Sequence, residues 1–130
     1  MKSLKPTEEA PYLVTRRSWM RRILTVIARV IALGGIGFIS IFALDVFTPG
    51  APVATVLLAL FMHLLPSLAL LGILALAWRW PLPGGLLFLV VAAAFMLLLN
   101  NPFWVNAMLA GPFAIAGLLF LLGDRGSFDR

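Results

Sequence analysis

The sequence contains no cysteine, and His63 is its only histidine. Without cysteine the chain forms neither disulfide bonds nor thiolate metal sites, and thiol catalysis is excluded. One histidine cannot supply both axial ligands of a haem. Metal-ligand spacings and Gly-rich phosphate loops are missing too. We therefore predict no metal site and no cofactor.

Charged side chains are also scarce, because Asp45 and Arg79 are the only ones between Val30 and Gly123. A water-soluble domain has about a quarter of its residues charged, whereas this chain is 62% hydrophobic. The sequence thus predicts an integral membrane protein. No acid lies in the interior of an apolar run, and no serine, histidine and acid form a triad, so we expect no catalytic residues and no enzyme activity.

Four apolar runs are long enough to cross a membrane, since about 30 Å of hydrocarbon requires about 20 helical residues. Backbone groups in lipid must be satisfied within the segment, which favours helices. We predict an all-α membrane protein whose transmembrane domain, residues 16–123, has four transmembrane helices in two antiparallel hairpins. The predicted spans are residues 27–47, 53–78, 82–99 and 103–122.

The two ends of the chain are polar. Residues 1–15 are predicted to be a flexible cytoplasmic arm, and residues 124–130 a cytoplasmic tail. Between the arm and the first span, a polar stripe opposite apolar residues predicts an N-terminal amphipathic interfacial segment. Arg22 and Arg29 in this stripe are candidates for binding anionic lipid headgroups. Alternatively, these arginines only set the topology, and Arg29 extends to the interface.

The basic residues also predict the orientation. Seven of the ten precede Val30, and the first and third connections contain none. Because basic segments stay in the cytoplasm, both termini are expected there. The same asymmetry explains the net charge of +5 without a nucleic-acid partner.

His63 is the most unusual residue inside a span, and it precedes Pro66 by three positions. A polar group near mid-membrane is costly and usually faces the bundle interior. Pro66 and Pro112 each leave a carbonyl without its helical donor and should bend their helices. His63 either relays a proton, ligates a metal or haem, or hydrogen-bonds a lipid headgroup or quinone; the structural alternative is a hydrogen bond to a neighbouring helix's carbonyl.

Asp45 is expected at the outer end of the first span, at the level of Thr48, Asn100, Asn101 and Asn106. These residues form either an outer polar cluster or ordinary polar turns. From this pattern we take His63, Asp45 and Asn106 as candidate ligand-binding residues.

Two further patterns concern packing. Small residues at Ala28, Ala32 and Gly35, and at Ala116 and Gly117, should let helices approach closely. The pair Gly34-Gly35 is repeated at Gly84-Gly85, and Pro52 at Pro102, both at an offset of 50 residues. This is either a repeat of the hairpin or a chance similarity between membrane helices.

Residues 39–47 and 58–66, with Ala77-Trp78-Arg79-Trp80 after them, resemble a family of small bacterial and archaeal four-helix membrane proteins of unknown function. The resemblance covers about Ile23 to Leu122. It implies four spans and a prokaryotic cytoplasmic membrane, and it assigns no activity.

Two functions stay open at this point. The first is a non-catalytic subunit or accessory factor that packs against itself or a larger membrane partner, with the bilayer and anionic headgroups as its surroundings. The alternative is a small transporter, channel or lipid- or quinone-binding protein with a mid-membrane site around His63.

Overall fold

The computed structural model describes residues 10–47 and 49–124, which are helical apart from short connections and contain no strand. The helices of these residues are α1 (Ala10–Ile41), a short 3-10 helix (Phe42–Val46), α2 (Val53–Arg79), α3 (Pro81–Leu98) and α4 (Phe103–Asp124). Each α-helix is long and apolar enough to cross a membrane. The predicted all-α membrane fold with four membrane-spanning helices is confirmed.

Prolines and one glycine explain where the helices begin. The carbonyls of Pro52 and Pro102 accept the first backbone hydrogen bonds of α2 and α4, and Pro81 occupies the first turn of α3, where its missing N–H costs nothing. Gly50, with a φ of 86°, turns the chain before α2, a conformation that glycine adopts without strain. The last three helices therefore begin and end within two residues of the predicted spans.

The N-terminal segment differs from the prediction of a flexible arm over residues 1–15. Helix α1 already begins at Ala10 and continues without a break to Ile41, so residues 10–15 are helical and continuous with the first span. Pro11 follows the first helical residue, a position where its fixed φ favours helix initiation. Residues 1–9 of the arm and residues 125–130 of the tail lie outside the described residues, and α4 ends at Asp124.

Neighbouring helices run antiparallel in the order α1, α2, α3, α4, and α4 returns to α1. A Cβ added at Gly123, at the end of α4, would lie 3.0 Å from the Thr25 hydroxyl near the start of the packed part of α1. One added at Gly35, farther along α1, would lie 3.0 Å from Pro112 in the middle of α4. The pairs α3–α4 and α1–α4 have the most extensive contacts, so α4 holds the bundle together.

The core combines stacked aromatic rings with small residues. The Phe88 ring lies parallel to the rings of Phe113 and Phe120, with centroids 5.9 and 6.0 Å apart, and all three are fully buried. Beside them, a Cβ at Gly84 would overlap the backbone of Ala77, so only glycine lets α2 and α3 approach this closely. The expected close approach of small residues is present here and at Ala28 and Ala32, which are completely buried.

Helix α2 packs along one half only. Its buried residues are Ser67, Leu70, Leu74 and Ala77, whose spacing puts them on one helix face. We call residues 67–79 the packed half of α2. No residue from Val53 to Pro66 is buried, and we call residues 53–66 its open half. The bundle is therefore closed near the α2–α3 connection and open toward the other two connections.

The proposed repeat agrees with the structure at the prolines and at one of the two glycine pairs. A Cβ at Gly35 would lie 3.0 Å from Pro112, and one at Gly85 would lie 2.9 Å from the Gly117 carbonyl, so both glycines pack on α4. Pro52 and Pro102 cap α2 and α4 in the same way. However, a Cβ at Gly34 would meet nothing within 4 Å, whereas one at Gly84 would overlap Ala77. The two hairpins thus differ at the first glycine of each pair, because Gly84 lies against α2 and Gly34 lies against no neighbouring helix.

Candidate functional site

A cavity of about 900 Å³ lies beside the open half of α2, and all four helices contribute to its walls. We call it the large cavity. Only His63, Asn101 and Trp104 among its lining residues carry a polar side-chain group; the rest are aliphatic, Phe, Met or Pro. Sites for apolar ligands combine such a lining with a few polar groups that fix orientation.

The Ser40–Ser67 pair lies where the packed half of α2 meets the open half. The two hydroxyls are hydrogen-bonded at 3.0 Å and link α1 to α2. Ser40 also lies 2.8 Å from the Ile36 carbonyl of its own helix. Since Ser67 directly follows Pro66, which lines the large cavity, this hydrogen bond holds the two helices together immediately beyond the cavity wall.

His63 lies on the wall of the large cavity, ten residues after the start of α2, or about 15 Å along the helix axis. Its Nδ1 is 2.9 Å from the carbonyl oxygen of Ala59, one turn earlier in the same helix. The hydrogen bond of His63 is therefore made within α2, and not to a neighbouring helix as the structural alternative expected. The ring is exposed, so it is not held in dry helix packing.

A second, smaller cavity of about 270 Å³ also includes His63. Asp45, in the 3-10 helix, also lines it, and Thr55 contributes a hydroxyl group from α2. The structure therefore brings two of the three candidate ligand-binding residues, His63 and Asp45, to one cavity. His63 borders both cavities.

Asn106 has a different place from the one expected of a ligand-binding residue. It is 4% exposed, and its amide nitrogen donates to the Leu99 carbonyl at 2.9 Å. That carbonyl follows the end of α3, where helical acceptors lack a partner. Asn106 therefore stabilises the α3–α4 connection and lines neither cavity. Its amide oxygen is buried without a hydrogen-bond partner among the described residues.

Sequence reasoning did not identify the aromatic walls of the large cavity, which come from Phe38, Phe42, Phe95 and Trp104. These residues lie in uniformly apolar runs, where no periodicity separates a cavity wall from a lipid-facing surface. Of the expected outer polar cluster, Asn101 reaches the large cavity, and Thr48 lies outside the described residues.

The two helix prolines occupy different surroundings. Pro66 lines the large cavity, whereas Pro112 faces Gly35 of α1. Each proline removes a backbone donor and presses on the carbonyl four residues earlier. The expected bend at each proline stays a prediction.

At the closed end of the bundle, Arg29 packs on α2. Its guanidinium carbon lies 5.4 Å from the centre of the Trp78 ring, a distance at which the cation is attracted to the ring face. Its Nε is buried and has no hydrogen-bond partner among the residues that the structure describes. Arg22 is exposed two turns earlier in α1. The polar stripe of the predicted interfacial segment is therefore exposed at Arg22, whereas at Arg29 it packs against the bundle.

Comparison with known families agrees with this architecture. Residues 16–128 match a family model described as a domain of unknown function (DUF7670). No curated protein and no solved structure matches the chain. Among the described residues, no three side chains of the metal-ligating types lie close enough together to hold an ion.

Because the match extends over most of the sequence, the chain belongs to the DUF7670 family. The expected resemblance to an uncharacterised family is confirmed, and the bacterial or archaeal origin stays a prediction. With its four apolar helices, the chain is a membrane protein of this family.

Proposed function

We propose that the chain is a non-catalytic membrane protein that binds an amphiphile dissolved in the bilayer, and that the large cavity is the binding site. The observation that carries this proposal is the size and lining of the cavity, about 900 Å³ with His63 on an otherwise largely apolar wall. Pockets of about 300–1,000 Å³ with such a lining bind molecules of cofactor or lipid size.

The test is to fill the cavity and measure bound lipid. Val105 is half-buried and lines the cavity, so Val105→Trp should displace a bound amphiphile. Val90→Trp adds the same side chain on the exposed face of α3, where Val90 is 63% exposed. Native mass spectrometry should find the amphiphile on the wild type and the Val90 variant but not on the Val105 variant. Equal occupancy of both folded variants would contradict the proposal.

A second candidate function is a small subunit or accessory factor that packs against itself or a larger membrane partner. The open half of α2 favours it, because an apolar helix with no buried residue along 14 positions offers a surface to another helix. Cysteine crosslinking at Leu57 and Leu58, both exposed, tests this function in native membranes. Crosslinks to a protein from these positions but not from Val90 support it, whereas crosslinking only to lipid favours the amphiphile.

We also propose that Arg29 and Arg22 bind an anionic phospholipid headgroup. Within the described part of the chain, Arg29 Nε is buried without an acceptor, and a phosphate oxygen would supply a charge-assisted one. Arg29→Gln and Arg22→Gln should each lower retention of anionic phospholipid in native mass spectra, with Arg16→Gln as the control. If all three variants lose the same amount, the basic residues act only through net charge and topology.

We propose a prokaryotic cytoplasmic membrane with both termini in the cytoplasm. The support is the charge asymmetry of the sequence, since the α1–α2 and α3–α4 connections contain no Lys or Arg. Tags at either terminus should react only from the cytoplasmic side, and a reporter at Gly50 only from outside. A C-terminal tag that reacts from outside would exclude this topology.

A further inference from the structure

The hydrogen bond of His63 to its own helix determines which of its ring nitrogens remains free. A carbonyl oxygen only accepts, so the Nδ1 that lies 2.9 Å from the Ala59 carbonyl carries the hydrogen. In a neutral imidazole with hydrogen on Nδ1, Nε2 is an acceptor.

Among the described residues, His63 forms its hydrogen bond through Nδ1, to the Ala59 carbonyl. No described residue donates a hydrogen bond to Nε2. An acceptor in apolar surroundings that lacks a donor costs free energy. The other lining residues with polar groups, Asn101 and Trp104, lie at the α3–α4 connection and the start of α4. These residues lie at the end of the bundle where α2 begins, whereas His63 lies about 15 Å farther along α2.

From this geometry we infer that the ligand of the large cavity is an uncharged amphiphile that donates a hydroxyl hydrogen to Nε2 of His63. This inference rests on the proposed function and adds the chemical class of the ligand. A phospholipid does not fit, because its charged headgroup would have to leave water to reach His63. A ketone, ester or ether has no hydrogen to donate. An alcohol or phenol on an apolar body satisfies both the acceptor and the walls.

The inference is tested with two probes that differ only in the donor, geranylgeraniol and its methyl ether. Binding to the purified chain in nanodiscs is measured by native mass spectrometry and by the fluorescence of Trp104. One hydrogen bond is worth up to about 1.4 kcal/mol, so the alcohol should bind up to ~tenfold more tightly than the ether. In His63→Phe, this preference should disappear while the ether still binds. His63→Gln, which retains an acceptor, should keep part of the preference.

The outcomes separate the two proposals. If the wild type binds neither probe, both the cavity proposal and this inference fail. If it binds both probes equally, the cavity proposal stands and the role of Nε2 is refuted. A nitrogen-15 spectrum of His63 gives an independent readout: hydrogen on Nδ1 is expected in the free protein, with a shift at Nε2 on adding the alcohol and none on adding the ether. Hydrogen on Nε2 in the free protein would overturn the inference.

Discussion

The two halves of α2 have the same apolar character and opposite packing. The packed half, residues 67–79, buries one face that runs from Ser67 to Ala77, whereas the open half, residues 53–66, has no fully buried residue. Lipid is as apolar as a leucine side chain, so hydrophobicity alone does not draw membrane helices together. The packed half differs because it faces a glycine of α3. Gly84 has no side chain, so Ala77 can touch the backbone of α3.

Across from the open half, the facing side chains are large. Phe42 and Phe95 line the large cavity together with Trp104. Along α2, the packed half meets a glycine of α3 at Gly84, whereas the open half borders a cavity lined by aromatic residues. Each prediction below changes one side of this comparison.

The largest effect is expected from Gly84→Ala. The added Cβ would overlap backbone atoms of Ala77, and backbone atoms cannot move aside as a flexible side chain can. We therefore expect the free energy of unfolding to fall by about 3 kcal/mol, near the top of the range for overpacking. Gly72→Ala is the control, because a Cβ there meets nothing within 4 Å. Unfolding in mixed micelles, followed by tryptophan fluorescence, measures both. Equal stability of the two variants would mean that α2 and α3 are not in close contact.

A buried leucine should contribute more to the free energy of unfolding than an exposed leucine in the same helix. Leu70 in the packed half is 2% exposed, and Leu57 in the open half is 60% exposed. Leu70→Ala should cost about 2 kcal/mol, the lower end for a buried leucine, because lipid leaves only the packing contribution. Leu57→Ala should change the free energy of unfolding very little. A comparable loss at Leu57 would show that the open half is packed in the membrane.

Ser67→Ala should have a smaller effect, about 0.6 kcal/mol, the average for a side-chain hydrogen bond between membrane helices. The change removes the bond to Ser40, which joins α1 and α2 at the boundary of the two halves. Thr55→Ala in the open half serves as the control. The same unfolding assay measures both variants, and a larger loss at Thr55 would reverse the assignment of packed and open halves.

The smallest change in stability is expected from Pro66→Ala, within about 0.5 kcal/mol, as for other exposed positions. Its structural effect is nonetheless specific. Pro66 lines the large cavity, and its ring should bend the helix away from that face. With alanine, spin labels at Leu57 and Met108 should move closer together. An unchanged distance would show that the proline does not splay the open half.

Some of the site was readable from the sequence because polar residues are rare in it. His63 stood out as the one histidine inside a span, and Asp45 as the only acid near the outer end; both line the smaller cavity. Asn106 is also polar and was expected at the same depth in the membrane as Asp45. Its side chain instead donates a hydrogen bond within the α3–α4 connection. A sequence does not distinguish an amide that faces a cavity from one that caps a carbonyl, because that depends on a backbone group seven residues away.

The number of spans and the ends of the last three helices were determined by the sequence itself. The first helix differs from its predicted span of residues 27–47, because α1 begins at Ala10 and gives way to the 3-10 helix after Ile41. Apolar runs of span length can satisfy their backbone only as helices, and Pro52, Pro81 and Pro102 mark where α2, α3 and α4 begin. The cavity was decided by tertiary structure alone. Every face of α2 is apolar, so no pattern along the chain indicates which face is covered. The contact at Gly84 closes one half, and the other half borders the large cavity with its aromatic walls.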